Sequence, residues 1–364
     1  MADFALYLHV PFCRRKCAYC DFASWAGREE AIEPYLRALR GEIRAQGERW
    51  AAGRTVTSVF FGGGTPSLLS GGQVQALLDE LRAAFAFSPD AEITLEGNPG
   101  TLTRENLRAY RQAGVNRLSL GVQSFSDALL ARVGRIHTAK QAEEAVSLAR
   151  ETGFDNLNLD LMYGLPGQSE EDFSQSVRRA AQLGVEHLSL YSLILEEGTP
   201  LFRAVQAGEC ALPDDETTLA MQHAAEAFLS QAGYTRYEIS NYAKEGRECR
   251  HNLLYWSRGE YLGLGCAAHS LMEETRFSNP ERLDEYLAGA RAASIERLTP
   301  SDRYEEQVML GLRTREGVPE SLFTGREPVV ARLIDGGFLA RENGRVHATQ
   351  TGADLLNALI LELT

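Results

Sequence analysis

The stretch DNLNLDLMYG, residues 155–164, sets Leu157, Leu159 and Leu161 in alternation with Asn158 and Asp160. A period of two predicts a β-strand with one apolar and one polar face. Four other runs read the same way. Leu6, Leu8 and Val10 alternate with Tyr7 and His9; Ile93 and Leu95 with Thr94, Glu96 and Asn98. Leu118, Leu120 and Val122 alternate with Ser119, Gly121 and Gln123, and Leu188 and Leu190 with His187, Ser189 and Tyr191. A sixth strand is expected at TSVFFGG, residues 57–63. Between these runs lie amphipathic patterns such as QVQALLDELRAAF and AKQAEEAVSLARETG, several ending at a glycine (Gly114, Gly153, Gly184) as helices do. Strand–helix repetition implies parallel βαβ units, in a barrel or a doubly wound sheet. An aliphatic face suits packing on outer helices, and a polar face suits a ligand-holding lumen. The pattern therefore predicts an α/β fold with a partial, open (β/α)6 barrel. An antiparallel sheet with one solvated face would share the alternation, but the intervening helices argue against it.

The remaining composition bounds the function. The chain has 364 residues, is 44% hydrophobic and 24% charged, and carries a net charge of −13. That is the profile of a globular protein of about two domains. An acidic chain lacks the general positive field that grips nucleic acid, so no nucleic-acid partner is expected. No apolar run reaches the ~18 residues of a membrane span. The first residues, MADFALYLHVPFC, have no basic segment leading into a long apolar one, so a cytoplasmic location is expected. Near residue 286 the strand–helix rhythm gives way to helix, helix, hairpin and helix. This predicts a core domain over 1–285 and a winged-helix-like α+β domain over 286–364, without the basic helix of a DNA binder.

Six cysteines are too few for a disulfide scaffold, and three are crowded: Cys13, Cys17 and Cys20 form C-x3-C-x2-C directly after the first strand. Three thiolates on an iron–sulfur cubane would leave one iron open to a non-protein ligand, and Arg14, Arg15 and Lys16 would favour the thiolate forms. A zinc site completed from a distance, or one face of a helix, would show the same spacing. Gly62-Gly63-Gly64-Thr65-Pro66 follows the second strand, where glycines permit close approach of the backbone to a ligand. Glu96, Gln123 and Asp160 share the polar parity near the C-terminal ends of three strands, where barrel sites are built; satisfying loop amides is their plainer role. Arg135 could meet a carboxylate in bidentate fashion or close a helix C-terminus. Tyr7 shares the polar parity one strand over. HNLLYW, residues 251–256, offers a histidine and two aromatics, which a surface loop with a core tryptophan would also explain.

The cysteine motif in the first strand–helix loop, followed by the GGGTP turn, resembles the radical S-adenosylmethionine (SAM) superfamily. The resemblance implies a [4Fe–4S] cluster on Cys13, Cys17 and Cys20 whose open iron is chelated by SAM, and whose electron cleaves SAM to methionine and a 5′-deoxyadenosyl radical. LYLHVPFC-x3-C-x2-CDF, FFGGGTPS, EGNP, GVQSF, GRIH and NLDLMYGLPGQ, with the winged C-terminal part, narrow this to the HemN/HemW branch of oxygen-independent coproporphyrinogen III oxidases and heme chaperones. Matched motif by motif, Tyr7, Tyr19, Gly63, Gly64, Thr65, Glu96, Gln123, Arg135 and Asp160 fall where the branch contacts SAM. Three features resemble the chaperone group. Phe22 stands where the oxidases carry a further cysteine, only twelve residues precede Cys13, and HNLLYW matches a motif of the heme-binding group. The resemblance thus implies a chaperone that binds the cluster, SAM and heme and hands heme to acceptor proteins, some of them membrane-associated. His251 is its candidate heme ligand, on a segment expected to be exposed. A low-potential electron donor is implied if SAM is cleaved. The oxidase is the alternative within the branch, and a structural zinc protein the alternative outside it.

Overall fold

The computed structural model describes residues 2–364. Six strands, β1 (Ala2–Val10), β2 (Arg54–Gly63), β3 (Phe87–Gly97), β4 (Arg117–Gln123), β5 (Leu157–Tyr163) and β6 (His187–Ser192), run parallel and adjacent in chain order. Each expected strand is present. The helices joining them are α1 (Ile32–Trp50), α2 (Gly71–Ala84), α3 (Arg104–Ala113), α4 (Asp127–Arg132), α5 (Ala139–Glu151) and α6 (Glu170–Gln182). Reciprocal capping boxes start four of them, at Ser70 with Gln73, Thr103 with Asn106, Thr138 with Gln141 and Ser169 with Asp172. Each box satisfies amides that a helix N-terminus leaves orphaned. At Gly114 the chain leaves α3 through a left-handed residue, φ 107°.

Parity became layering. Leu6, Leu8, Leu118, Leu120, Leu157, Leu159, Leu161 and Leu188 are fully buried, in one core with α1 residues Leu39 and Ile43, α2 residues Leu77 and Leu81, and Phe173 of α6. The opposite faces line the lumen.

The sheet extends beyond these six strands. On one side β8 (Asn241–Ala243) pairs antiparallel with β6, and β7 (Thr235–Arg236) pairs antiparallel with β8. On the other side β9 (Glu260–Leu264) joins β1 in parallel, followed by the antiparallel β10 (His269–Met272), β11 (Thr275–Ser278) and β12 (Ser294–Arg297). The order is β12-β11-β10-β9-β1-β2-β3-β4-β5-β6-β8-β7, and among the described residues the two end strands do not pair. The barrel is partial and open, as the sequence implied.

The C-terminal unit holds a second apolar cluster, from Val308 to Leu363, around helices Pro300–Gly311, Glu327–Asp335 and Leu356–Leu363 and a three-stranded sheet. Its start differs from the expected residue 286. Tyr286 packs in the main core and β12 belongs to the main sheet, so the change of unit falls after Arg297. The compositional change marks the loss of the βα rhythm, which the antiparallel β10–β12 meander ends before the fold itself does. No helix among the described residues is long and apolar enough to cross a membrane.

Candidate functional site

The C-terminal ends of β2–β6 and the loop after β1 surround a cavity of about 550 Å³. Cys13, Cys17 and Cys20 line it, all as free thiols on a turning loop and not a helix. Backbone bonds hold that loop: Trp25 N–H donates to Pro11 (2.8 Å), Ala18 N–H to Val133 (3.0 Å), and Leu201 N–H to Ala18 (2.9 Å). The glycine turn docks against it. Gly64 N–H donates to the Val10 carbonyl (2.9 Å) and Thr65 N–H to that of Phe12 (2.8 Å). A Cβ on Gly64 would sit 2.7 Å from the Phe12 carbonyl oxygen, and backbone cannot give way. Packing of turn on loop therefore demands this glycine, beside any approach to a ligand. Thr65 Oγ1 then reaches Cys13 Sγ, 3.5 Å away. Arg135 extends Nη1 to Cys17 Sγ (3.5 Å) and Nη2 to the Gly121 carbonyl, while its Nε is buried without a partner among the described residues. Burial raises the Cys20 thiol above its ordinary value. Among the described residues, no three His, Cys, Asp or Glu side chains converge closely enough to hold a single metal ion.

Facing the thiols are the polar ends of three adjacent strands. Glu96 on β3, Gln123 on β4 and Asp160 on β5 all line the cavity. Burial, reinforced by nearby Asp160, pushes the Glu96 carboxyl up to about 8, against the backbone N–H of Gly63 that bonds its ionised form. Asp160 is likewise raised by burial. Among the described residues neither carboxylate has an ion-pair partner, although the Arg117 charge lies nearby, and the pair suits a cationic or hydroxyl-rich ligand. Gln123 has φ 65°, left-handed backbone for a non-glycine residue, at a register shift between β4 and β5. Such strain persists where surrounding structure holds it, and concentrates at ligand sites. Tyr19 lines the cavity; Tyr7 does not, but bonds His9 Nδ1 (3.0 Å) and stacks against Phe60, which does.

Several lining residues escaped the motif reading, although strand parity could have found them. Asn158 Nδ2 donates to Asp160 Oδ1 (2.8 Å) and Ser119 Oγ to Asp160 Oδ2 (3.2 Å), which fixes the carboxylate. Asn158 Oδ1 in turn bonds His187 Nδ1 (2.6 Å) and Ser189 Oγ (3.1 Å). Arg117 begins β4 on the same parity. It is 1% exposed, and its Nε and Nη2 have no hydrogen-bond partner among the described residues.

HNLLYW closes the floor of the barrel beneath the cavity, with Asn252 lining it, and the expectation of an exposed segment is corrected here. It forms the helix Arg250–Trp256, whose first amides, Arg250 N–H and His251 N–H, donate to Glu92 of β3 (both 3.2 Å). His251 is 1% exposed, with Nδ1 bonded to Ser58 Oγ and Nε2 to the Tyr255 hydroxyl, both at 2.9 Å. Burial, with Arg117 adding to it, drops the imidazole to about 3, so the ring is neutral. Glu92 draws the helix under the barrel, where motif spacing alone gives no hint of direction. The neighbouring Cys249 is fully buried and donates to Glu92, and His269 is exposed on β10.

Comparison with known proteins identifies the family. The Radical SAM superfamily profile matches residues 7–180, and that of the HemN C-terminal domain residues 298–355. The heme chaperone HemW of Mycobacterium tuberculosis is 40% identical over 370 residues, spanning 99% of this chain and 94% of that protein. HemW of Escherichia coli is 39% identical, over 98% of this chain and 97% of its own length. The chain belongs to the HemW family, within the radical SAM superfamily. Among solved structures, coproporphyrinogen III oxidase (HemN) from E. coli aligns over 100% of this chain and 90% of that one, with TM-score 0.86 and 27% identity. The HemW family thus shares the oxidase's architecture.

Proposed function

We propose that this protein is a heme chaperone that carries a [4Fe–4S] cluster on Cys13, Cys17 and Cys20, binds SAM in the adjoining cavity, and delivers heme to acceptor proteins, membrane-associated ones among them, in the cytoplasm. The observation that carries the cofactor part is the convergence of three free thiols from one loop with carboxylates and an amide from three neighbouring strands on one cavity. The donor set fits. Arg135, with a buried unpartnered Nε beside Cys17, supplies positive charge to a thiolate cluster and can bind a carboxylate. Glu96 and Asp160 suit the amine, sulfonium and ribose hydroxyls of SAM. When bound, the cluster would supply one-electron reducing chemistry, drawn from an external low-potential reductant. The protein's own part is to hold Asp160 through Asn158 and Ser119, and Glu96 through Gly63. Heme binding and transfer are supported by the names and the 39–40% identity of the HemW relatives.

The test is anaerobic reconstitution of the full chain with iron and sulfide, then separate offers of heme and coproporphyrinogen III with SAM and reductant. About four irons per chain, a heme Soret band and no decarboxylation are expected. Cys13→Ser, Cys17→Ser and Cys20→Ser should each lose the brown chromophore, while Cys210→Ser keeps it. Full iron retention in the three cluster variants would remove the cluster assignment, and catalytic turnover of coproporphyrinogen III would replace the chaperone by the oxidase.

A further inference from the structure

Resting on the chaperone reading, we infer that heme docks at the mouth of the cofactor cavity, between Phe22 and Ile194, and not at the histidine motif. Folding normally leaves large apolar side chains exposed only singly. Here Phe22 is 66% exposed, Ile194 68% and Tyr191 39%, and all three line the same cavity. They arrive from two distant parts of the chain: Phe22 from the loop after the cysteines, Tyr191 and Ile194 from the end of β6 and the loop beyond it. The remaining exposed large apolar residues, such as Leu219, Ile295 and Leu361, line neither this cavity nor one another's surroundings in sequence. The patch is therefore a local feature of this mouth. It continues inward over Leu193 and Met162, which pack with Tyr19.

The chemistry of the rim selects a flat apolar ring with acidic arms. Phe22 and Tyr191 offer aromatic surface on which a macrocycle can lie. Arg15 and Lys16 stand on the same rim, and Arg15 has no ion-pair partner among the described residues. They match the two propionates that heme carries on one edge. Lys16 Nζ also donates to the Phe22 carbonyl (2.8 Å), which ties the basic and apolar elements together. Asp21 and Glu196 line the mouth as well, so the propionate edge must lie toward Arg15. By contrast His251 is 1% exposed and has both ring nitrogens bonded, beneath a cavity floor that Asn252 and Phe60 line. A site at the mouth also leaves heme open to an acceptor.

The experiment is a heme titration followed in the Soret band, on the anaerobically reconstituted full chain. The variants are Phe22→Ser combined with Ile194→Ser, Arg15→Ser, and Ser58→Ala, which strips His251 of its Nδ1 partner. Both mouth residues are exposed, so iron content and far-UV circular dichroism should stay at wild-type values and show that the fold is intact. The double variant should bind heme at least tenfold more weakly, Arg15→Ser severalfold more weakly, and Ser58→Ala as wild type does with an unchanged spectrum. Wild-type affinity in the double variant, or a Soret shift in Ser58→Ala, overturns this inference while the chaperone reading stands. Absence of heme binding by the wild-type chain overturns both.

Discussion

The two ends of the barrel are built from the same strands but differ in how their polar groups are satisfied. At the floor, Glu92 accepts from Cys249 Sγ and two helix amides, and His251 spends both nitrogens on neighbours. At the cavity end, Glu96 and Asp160 oppose each other's ionisation, Arg135 Nε is unpartnered among the described residues, and Gln123 is held in strained backbone. A buried network with every member bonded rigidifies a fold. A lumen with unspent charge and donors is prepared for a ligand. The difference shows why a histidine motif and a cysteine motif in one chain need not do the same kind of work.

The sharpest way to break this contrast is at the floor. Glu92→Ala would leave the first amides of the helix Arg250–Trp256 without an acceptor and remove a charge near the buried Arg117. A loss of about 3 kcal/mol is expected, because the stranded groups are buried. Urea unfolding measures it. Wild-type stability in this variant would mean that the floor is not the locked region described.

The cavity end should respond in binding and not in stability. Asp160→Ala and Gln123→Ala each delete one contact that a bound SAM would use, at about 1.5–3 kcal/mol, or roughly tenfold to a hundredfold in affinity. Equilibrium dialysis on reconstituted protein gives the number, with iron content as the control. Unchanged SAM affinity in both variants would turn the cavity carboxylates into structural groups like Glu92.

Strand parity made most of this legible, because a period of two is a geometric property of any strand. It correctly put Leu157, Leu159 and Leu161 in the core and Asn158 and Asp160 in the lumen. The same reasoning extended by one residue would have found Arg117. The fate of HNLLYW was not legible. Its position depends on Glu92, some 160 residues away in the chain, and no local pattern reports so distant a partner. The role of Gly64 was half legible: glycine was evident, but its reason, a Cβ clash with the Phe12 carbonyl, exists only once two loops meet. The boundary after Arg297 was hidden similarly, since β12 joins the main sheet through β11 and not through the βα rhythm.

The finest test of the contrast is a pH dependence confined to Glu96. Its carboxyl is pushed from 4.5 up to about 8 by burial and by Asp160. Between those values the folded chain binds a proton that the unfolded chain has lost, so νU − νN is negative and stability falls as pH rises. Glu96→Gln cannot ionise and lacks that slope. Its melting temperature relative to wild type should therefore climb between about pH 6 and about pH 8.5, by roughly 1–3 °C for a chain of this size. SAM should reverse the order. Its sulfonium favours ionised carboxylates, so wild-type affinity should strengthen toward pH 8 while that of Glu96→Gln changes less. Scanning fluorimetry at both pH values, with and without SAM, reads both effects at once. A stability difference identical at the two pH values would mean that Glu96 does not titrate in this window.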